Sequence, residues 1–247
     1  MIEKSDERVV RACEERAARA GELAGLFSAA AEPLRFAEGL FRAQAEAARR
    51  LTPDFAKAVE ASRSIIDFVA AHGPAALAAD ARAFQSDRLR AYWGGLLEFD
   101  YLSRAALQPY ARFLRERGIA LERPEGPCST CGGAPWIAAR RGGGGPNSDG
   151  SARSLLCAFC ALEWEMSRIR CPACGEEDPA KLPNYAAPEH PAARIEACET
   201  CRAYVKSIDL SKDARPLPEV DDLVSLSLDL WALEKGFERL EPGLAGL

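Results

Sequence analysis

Apolar and polar residues recur with helical spacing through the first half of the chain. Ala, Leu, Glu and Arg, which favour helices, dominate from about residue 3 to residue 118, and Pro and Gly punctuate the run. The pattern predicts five helices, over residues 3–31, 34–50, 53–71, 74–90 and 95–117. We expect these helices to pack as an all-α bundle.

The ends of the third predicted helix carry signals of their own. Thr52 is expected as the N-cap, with Pro53 at the first helical position and Asp54 in the first turn. At the other end Gly73 is expected to be left-handed, and Pro74 cannot continue the hydrogen-bond ladder. His72 then has a structural explanation, because it lies near the negative end of the helix dipole.

The helical pattern stops at the sequence ERPEGP, and short strands follow. Residues 136–139 and 154–157 read as strands on either side of GGGGPNSDG, residues 142–150. This glycine-rich stretch is expected to be a flexible hairpin tip and not a phosphate-binding loop, because no GKS or GKT follows it.

A last helix is expected over residues 218–240. Apolar residues recur there at steps of three and four, and this stripe is expected to pack against the rest of the protein: Leu223, Leu226, Leu230, Leu233 and Phe237.

Eight of the nine cysteines form four CxxC pairs between residues 128 and 201. The pairs are Cys128 and Cys131, Cys157 and Cys160, Cys171 and Cys174, and Cys198 and Cys201. Two such turns joined by a hairpin of about 15 to 25 residues supply four thiolates to a tetrahedral ion. We expect two metal ions, each held by two consecutive pairs, because that pairing closes shorter loops than a cross-brace.

These ions are expected to be structural at minimum. Each module spans only about 31 to 34 residues, below the roughly 40 at which a chain usually needs disulfides, a metal or oligomerisation. Glycines after Cys131 and Cys174 fit turns whose amides point at sulfur. Four thiolates suit zinc or iron equally, so the identity of the metal stays open.

Cys13 and His190 are given no metal role. Cys13 lies among apolar residues of the first predicted helix and is expected to act as a small buried side chain. His190 could coordinate a metal, but both cysteine sets are complete without it. The chain has only two histidines that could act as the base for a catalytic nucleophile. We therefore expect a protein that is not an enzyme.

Net charge and cysteine content indicate which partners and which cellular compartment to expect. Residues 1–127 carry 19 basic and 19 acidic side chains, whereas residues 128–247 carry 13 and 18, an acidic balance that argues against nucleic-acid binding. Nine cysteines without a signal peptide or membrane span predict a cytoplasmic protein whose thiols stay reduced. A nucleic-acid-binding zinc ribbon and an electron carrier remain alternatives.

The second half resembles the formate dehydrogenase accessory protein FdhE. The resemblance rests on the order of the cysteine pairs and on residues between and after them, namely Trp164, Arg168, Tyr185, Glu189, residues 194–196, Tyr204, Lys206, residues 221–223, Leu228 and Asp229. Ser129 in place of a common proline, and the glycine-rich insertion, depart from the family pattern. Both departures affect the expected shape of the first module more than its ligands.

The resemblance implies a cytoplasmic maturation factor with rubredoxin-like metal modules. Such a factor binds the catalytic subunit of a molybdenum-containing formate dehydrogenase before that enzyme becomes active or is exported. It implies metal ligation at Cys128, Cys131, Cys157, Cys160, Cys171, Cys174, Cys198 and Cys201. The chain is expected to bind no nucleic acid and not to insert into a membrane; a homo-oligomer is left open.

The expected fold class is α+β in four parts. An all-α helical domain (1–125) is followed by two tandem modules of the rubredoxin or zinc-ribbon type (126–168 and 169–216) and by a C-terminal helix (217–247). The residues between the ligands are expected either to cover the small cores and pair with acids, or to form a surface that recognises the client. Asp221 is expected to cap the last helix.

Overall fold

The fold is described from a computed structural model, which covers residues 5–97, 99–142, 152–211 and 213–246. The chain divides into two compact units, Met1–Gly133 and Ala134–Leu247. The predicted division at residues 125, 168 and 216 stays a prediction. Within the described ranges, no helix is long and apolar enough to cross a membrane.

The first unit is helical, as predicted. Its buried core includes Leu34, Phe41, Ile65 and Phe113. The helices are α1 (Ser5–Leu26), α2 (Ala31–Ala48), α3 (Phe55–His72), α4 (Ala75–Arg82), α5 (Asp87–Trp93) and α6 (Tyr101–Glu116).

Several predicted helix ends were wrong. The helix expected over residues 74–90 is two helices, α4 and α5, and the helix expected from residue 95 begins at Tyr101. One salt-bridge cluster accounts for both changes. Arg88 lies 2.7 Å from the carboxylate of Asp80 and 2.6 Å from that of Asp100. Asp100 also caps α6 by accepting from the backbone N–H of Leu102 at 3.1 Å.

The caps of α3 also differ from the expectation. Asp54, not Thr52, is the N-cap, and its carboxylate accepts from the backbone N–H of Ala56 at 2.8 Å. Gly73 is extended, with φ −71° and ψ 161°, and not left-handed. Glycine is still required there, because a Cβ atom would lie 2.7 Å from the carbonyl oxygen of Val69.

The second unit is built on a seven-stranded sheet in which β7 pairs with β6 and the other strands run in the order β3-β2-β1-β6-β5-β4. Its strands are β1 (Pro135–Arg141), β2 (Ala152–Cys157), β3 (Glu163–Glu165), β4 (Asn184–Ala186), β5 (Ala193–Ala197), β6 (Ala203–Asp209) and β7 (Glu238–Arg239).

This sheet consists of two antiparallel ribbons joined along one edge. Strands β1 to β3 form the first ribbon and strands β4 to β6 the second, and β1 pairs with β6 in parallel. The two predicted modules therefore share one sheet. The predicted strands at 136–139 and 154–157 are confirmed as a hairpin, whereas most of its predicted flexible tip, from residue 143, lies outside the described residues.

The predicted C-terminal helix is shorter than expected and buries another face. It consists of α7 (Pro218–Asp221), a 3-10 turn and α8 (Leu226–Glu234), and it ends before Gly236, whose φ is +75°. Leu223 and Phe237 of the predicted stripe are buried as expected, but Leu230 and Leu233 are exposed, whereas Leu228, Asp229 and Ala232 are buried. Within α8 the apolar stripe misled because buried cations hold the charged Asp229 inward, as described below.

Candidate metal centres

The structure gathers the eight paired cysteines into two groups of four. Cys128, Cys131, Cys157 and Cys160 form one group, and Cys171, Cys174, Cys198 and Cys201 form the other. Within each group all the sulfur atoms lie within 4.8 Å of one another. The predicted pairing of consecutive CxxC pairs is therefore confirmed, and each group could hold a metal ion.

Sulfur distances in the second set fit tetrahedral coordination. The Sγ atoms of Cys171 and Cys201 are 3.7 Å apart, and those of Cys174 and Cys198 are also 3.7 Å apart. Four sulfurs about 2.3 Å from a tetrahedral zinc ion would lie about 3.8 Å from one another. The donor set consequently fits zinc, and it fits iron equally well.

Each cysteine pair lies in a tight backbone turn of the same design. The amide of the first cysteine donates to a carbonyl five residues later, as in Cys171 to Glu176 at 2.8 Å and Cys198 to Ala203 at 2.9 Å. Amides also point at sulfur, since the backbone N–H of Ala173 lies 3.4 Å from the Sγ of Cys171. These amides stabilise the negative charge that thiolate ligands carry.

A left-handed residue follows the second cysteine of every pair. Gly132 and Gly175 have φ of 70° and 78°, and Ala161 and Arg202 have φ of 56° and 61°. The two glycines were expected from the sequence. The other two positions were missed, because Ala and Arg carry no sequence signal for this conformation. The turn therefore imposes backbone strain at Ala161 and Arg202.

Relief of this strain gives the first testable expectation. Ala161→Gly should stabilise the metal-loaded protein by up to about 1 kcal/mol, because glycine adopts positive φ without a steric penalty. Denaturant unfolding would measure the change. As matched opposites, Gly175→Ala should be mildly destabilising, and Gly132→Ala more so, because a Cβ atom there would lie 2.0 Å from the carbonyl oxygen of Pro124. A clear loss of stability in Ala161→Gly would contradict the expectation.

The two sets differ in their exposure to solvent. All four cysteines of the first set are at most 2% exposed. In the second set Cys171 and Cys198 are buried, Cys201 is half-buried and Cys174 is exposed. The first site is thus sealed, and the second has an open side.

Thiol pKa values in the second set are also unequal. Burial raises the pKa of Cys201 to about 12. Burial acts in the same direction on Cys198, but the backbone N–H groups of Cys201 and Thr200 outweigh it and lower the pKa of Cys198. A metal that binds here must displace the proton of Cys201, so loading releases protons.

Neither Cys13 nor His190 belongs to these two groups. Cys13 is 1% exposed within α1, in agreement with the predicted packing role. The Nε2 atom of His190 lies 2.7 Å from the hydroxyl of Ser227, so this histidine has a structural contact in the second unit.

Four residues of the family motif meet in a buried ionic network. Lys206 is completely buried, and its Nζ lies 2.9 Å from the carboxylate of Asp222 and in contact with that of Asp229. Tyr204 donates its hydroxyl hydrogen to Asp229 at 2.9 Å. Arg239 completes the network at 2.9 Å from Asp222 and 3.2 Å from Asp229.

Opposite charges stabilise one another in this network. Burial alone would raise the pKa of Asp222, but Arg239 and Lys206 outweigh it and lower that pKa. Sequence reasoning singled out Tyr204, Lys206 and the two aspartates one by one. It did not join them, and it missed Arg239. The sequence did contain a signal that could have joined two of them: Tyr204 and Lys206 are two residues apart in β6, so their side chains lie on one face of the strand.

Three other motif residues have structural contacts. Tyr185 packs against the rings of Trp231 and Phe237, with centroids 4.6 and 6.1 Å away. Arg194 lies 3.3 Å from the carboxylate of Asp209. The expected N-cap role of Asp221 was wrong, because Leu217 is the N-cap of α7 and Asp221 is its last residue; the carboxylate of Asp221 instead accepts from the backbone N–H of Leu217 at 2.8 Å.

Comparison with known proteins finds similar sequences for the part of the chain that contains the second cysteine set. Residues 169–244 match the family model described as FdhE, C-terminal domain. A protein FdhE homolog from Aquifex aeolicus is 38% identical over 95 residues, which cover 38% of this chain and 34% of that protein. A protein FdhE homolog from Edwardsiella ictaluri is 33% identical over 165 residues, covering 67% of this chain and 50% of that protein. The chain thus matches between a third and a half of the length of these relatives.

The fold agrees with the sequence matches. The crystal structure of the FdhE protein from Pseudomonas aeruginosa has a TM-score of 0.69 and 24% identity, with 94% of each chain covered. The resemblance seen in the sequence is therefore confirmed as a match: residues 169–244 match the model of the FdhE C-terminal domain, and the chain has the fold of the Pseudomonas aeruginosa FdhE protein.

Proposed function

We propose that this chain is a non-catalytic accessory factor that binds the catalytic subunit of a molybdenum-containing formate dehydrogenase in the cytoplasm. Binding would assist activation of that enzyme or its quality control before export. The observation that carries the proposal is the second cysteine set, which lies within the stretch matching the FdhE C-terminal domain. A reducing compartment suits eight thiols that must stay available for metal.

In this proposal the metals build the binding surface and are not consumed. Cys128, Cys131, Cys157 and Cys160 would hold one ion, and Cys171, Cys174, Cys198 and Cys201 the other. Each set joins the turn before the first strand of a ribbon to the turn after its second strand, and the strands are only three to seven residues long. Such short ribbons require the metal to keep their shape.

Capture of the client tests the proposal. We expect a tagged formate dehydrogenase catalytic subunit to retain the intact metal-loaded chain, and to lose it when Cys171 and Cys174 are both replaced by serine. Cys13→Ala is the matched control, because this cysteine lies outside both sets. Undiminished capture of the double variant would move recognition away from the second ribbon, and failure to retain the intact chain would refute the proposed partner.

A rubredoxin-like electron carrier is the second candidate. The exposed position of Cys174 favours it, because electron transfer requires a site near the surface. Elemental analysis of protein purified without oxygen separates the two functions: iron that reduces reversibly would support a carrier, and two zinc ions would exclude it. The acidic balance of the second half continues to disfavour nucleic acid as a partner.

A further inference from the structure

One face of the sheet in the second unit carries a group of arginines. In the pairing register Arg140 on β1 lies opposite Arg153 on β2, and Arg194 on β5 lies on the same face as both. Arg168 lies close enough to Arg140 for the two charges to repel. Arg168 and Arg170 both line a cavity with Arg153. We call these five residues the arginine face.

The cavity is a small depression that opens to solvent. Besides the three arginines, its wall includes the acidic Glu196, the polar Asn184 and the apolar Leu182 and Leu240. This combination of a few fixed polar groups and an apolar wall is typical of a small binding site.

Only part of this positive charge is neutralised. Arg153 lies 2.8 Å from Glu196, and Arg194 lies 3.3 Å from Asp209. Arg170 lies 3.7 Å from Glu177, with both side chains more than half exposed, so water weakens that pair. Arg168 makes no ion pair with any residue that the structure describes.

The positive charge of the arginine face contrasts with the negative net charge of the chain. The formal net charge is −5, and residues 128–247 carry 13 basic and 18 acidic side chains. Five of those 13 basic residues form the arginine face. An acidic protein that gathers arginines around a cavity presents one local site for a negative group.

We propose that the arginine face and its cavity bind carboxylate groups of an acidic polypeptide segment. A guanidinium group donates two parallel hydrogen bonds to the two oxygens of a carboxylate, and Arg168, which makes no ion pair with a described residue, can donate them. A nucleic acid fits less well, because Glu196 and Asp209 interrupt the face and would repel a continuous run of phosphates. The proposal does not rest on formate dehydrogenase as client.

A structural role for the same arginines makes a different prediction. Cys171 and Cys198 also line the cavity, and a divalent ion held by four thiolates carries a net charge of about −2. If the arginines only offset that charge, then Arg168→Gln should weaken metal binding and leave peptide binding unchanged. If they bind carboxylates, metal content should stay at the wild-type level and peptide binding should fall.

Calorimetric titration of the metal-loaded full chain at low ionic strength tests the proposal. The probes are a peptide with six consecutive glutamates, the same peptide with glutamines, and acetate. We expect the glutamate peptide to bind the wild-type chain, Arg168→Gln to weaken binding at least tenfold, and Arg168→Lys to retain more of it than Gln does. Selective binding of the glutamate peptide would show that the ligand is an acidic polypeptide. Equally strong binding of acetate would show instead that the site takes any small carboxylate.

Arg141→Gln is the matched control. Arg141 neighbours Arg140 in β1, but it lies on the opposite face, where its guanidinium is 2.9 Å from Glu163. Its substitution removes the same charge and should leave peptide binding intact. Equal weakening by both substitutions, binding of the glutamine peptide, no binding of either carboxylate probe, or tighter binding of a single-stranded RNA would each overturn the proposal.

Discussion

A chelator is expected to remove the metal of the second cysteine set well before that of the first. Cys174 is exposed and Cys201 half-buried, so a competing ligand can approach the second ion directly. The four cysteines of the first set are at most 2% exposed, so their ion should leave only after local unfolding. Release followed with a coloured chelator should therefore show two phases of one ion each. A single phase containing both ions would contradict the difference in exposure.

Loss of the second ion should unfold its ribbon. A structural zinc ion contributes about 10 to 16 kcal/mol of apparent binding free energy in small sites, comparable with the stability of a whole domain. Hydrogen exchange should therefore rise in β4 and β5, while β1 and β2 keep their protection through the first ion. Protein with Cys171 and Cys174 replaced by serine should behave as if the second ion were absent, and Cys13→Ala should keep both ions.

Hydrogen-exchange protection of β6 distinguishes one shared sheet from two independent modules. This strand belongs to the second ribbon, but it also pairs in parallel with β1. It should retain more protection than β5 when the second ion leaves, because one of its edges keeps its partner. Equal loss in β5 and β6 would show that the parallel pairing contributes little stability.

Local signals in the sequence predicted the elements better than their ends. Helix propensity and CxxC spacing depend on residues close together in the chain, so the bundle, the hairpin and the two cysteine sets were all predictable. The split between α4 and α5 was not, because it depends on Arg88 of α5 meeting Asp80 of α4 across the break. The shared sheet was also missed, since the pairing of β1 with β6 joins strands more than 60 residues apart.

Buried charge explains the largest error at the C-terminal end. An apolar stripe normally marks the buried face of a helix, and on α8 it marked Leu226, Leu230 and Leu233. The buried face instead carries Asp229, which contacts Lys206 and lies 3.2 Å from Arg239. No local pattern reveals such a partner, because the cations come from β6 and β7.

In this buried network, Lys206→Met is expected to destabilise the protein by about 3 to 5 kcal/mol, because the substitution leaves a buried negative charge without its closest partner. Asp222 and Asp229 would then share one cation, Arg239. Denaturant unfolding of the metal-loaded protein measures the loss. Arg141→Met, which breaks a largely exposed pair with Glu163, should cost no more than about 1 kcal/mol.

The pH dependence of the variant gives an independent check. Burial already raises the pKa of Asp229, and the positive charge of Lys206 opposes that rise. Without Lys206 the folded-state pKa should rise further above the unfolded value, so the folded variant binds more protons than the unfolded chain. Its stability should therefore increase as the pH falls through that raised pKa, and its deficit against the wild type should shrink.

Removing both members of the closest pair should cost less than removing the lysine alone. In the double variant Lys206→Met with Asp229→Leu, Arg239 and Asp222 remain as a balanced pair at 2.9 Å. Replacing a buried ion pair with apolar side chains of similar volume is often close to neutral, so we expect the double variant to recover part of the lost stability. Tyr204 would lose the acceptor of its hydroxyl, which limits the recovery. A double variant less stable than Lys206→Met would show that Asp229 stabilises the fold through Tyr204 and Arg239 even without its lysine.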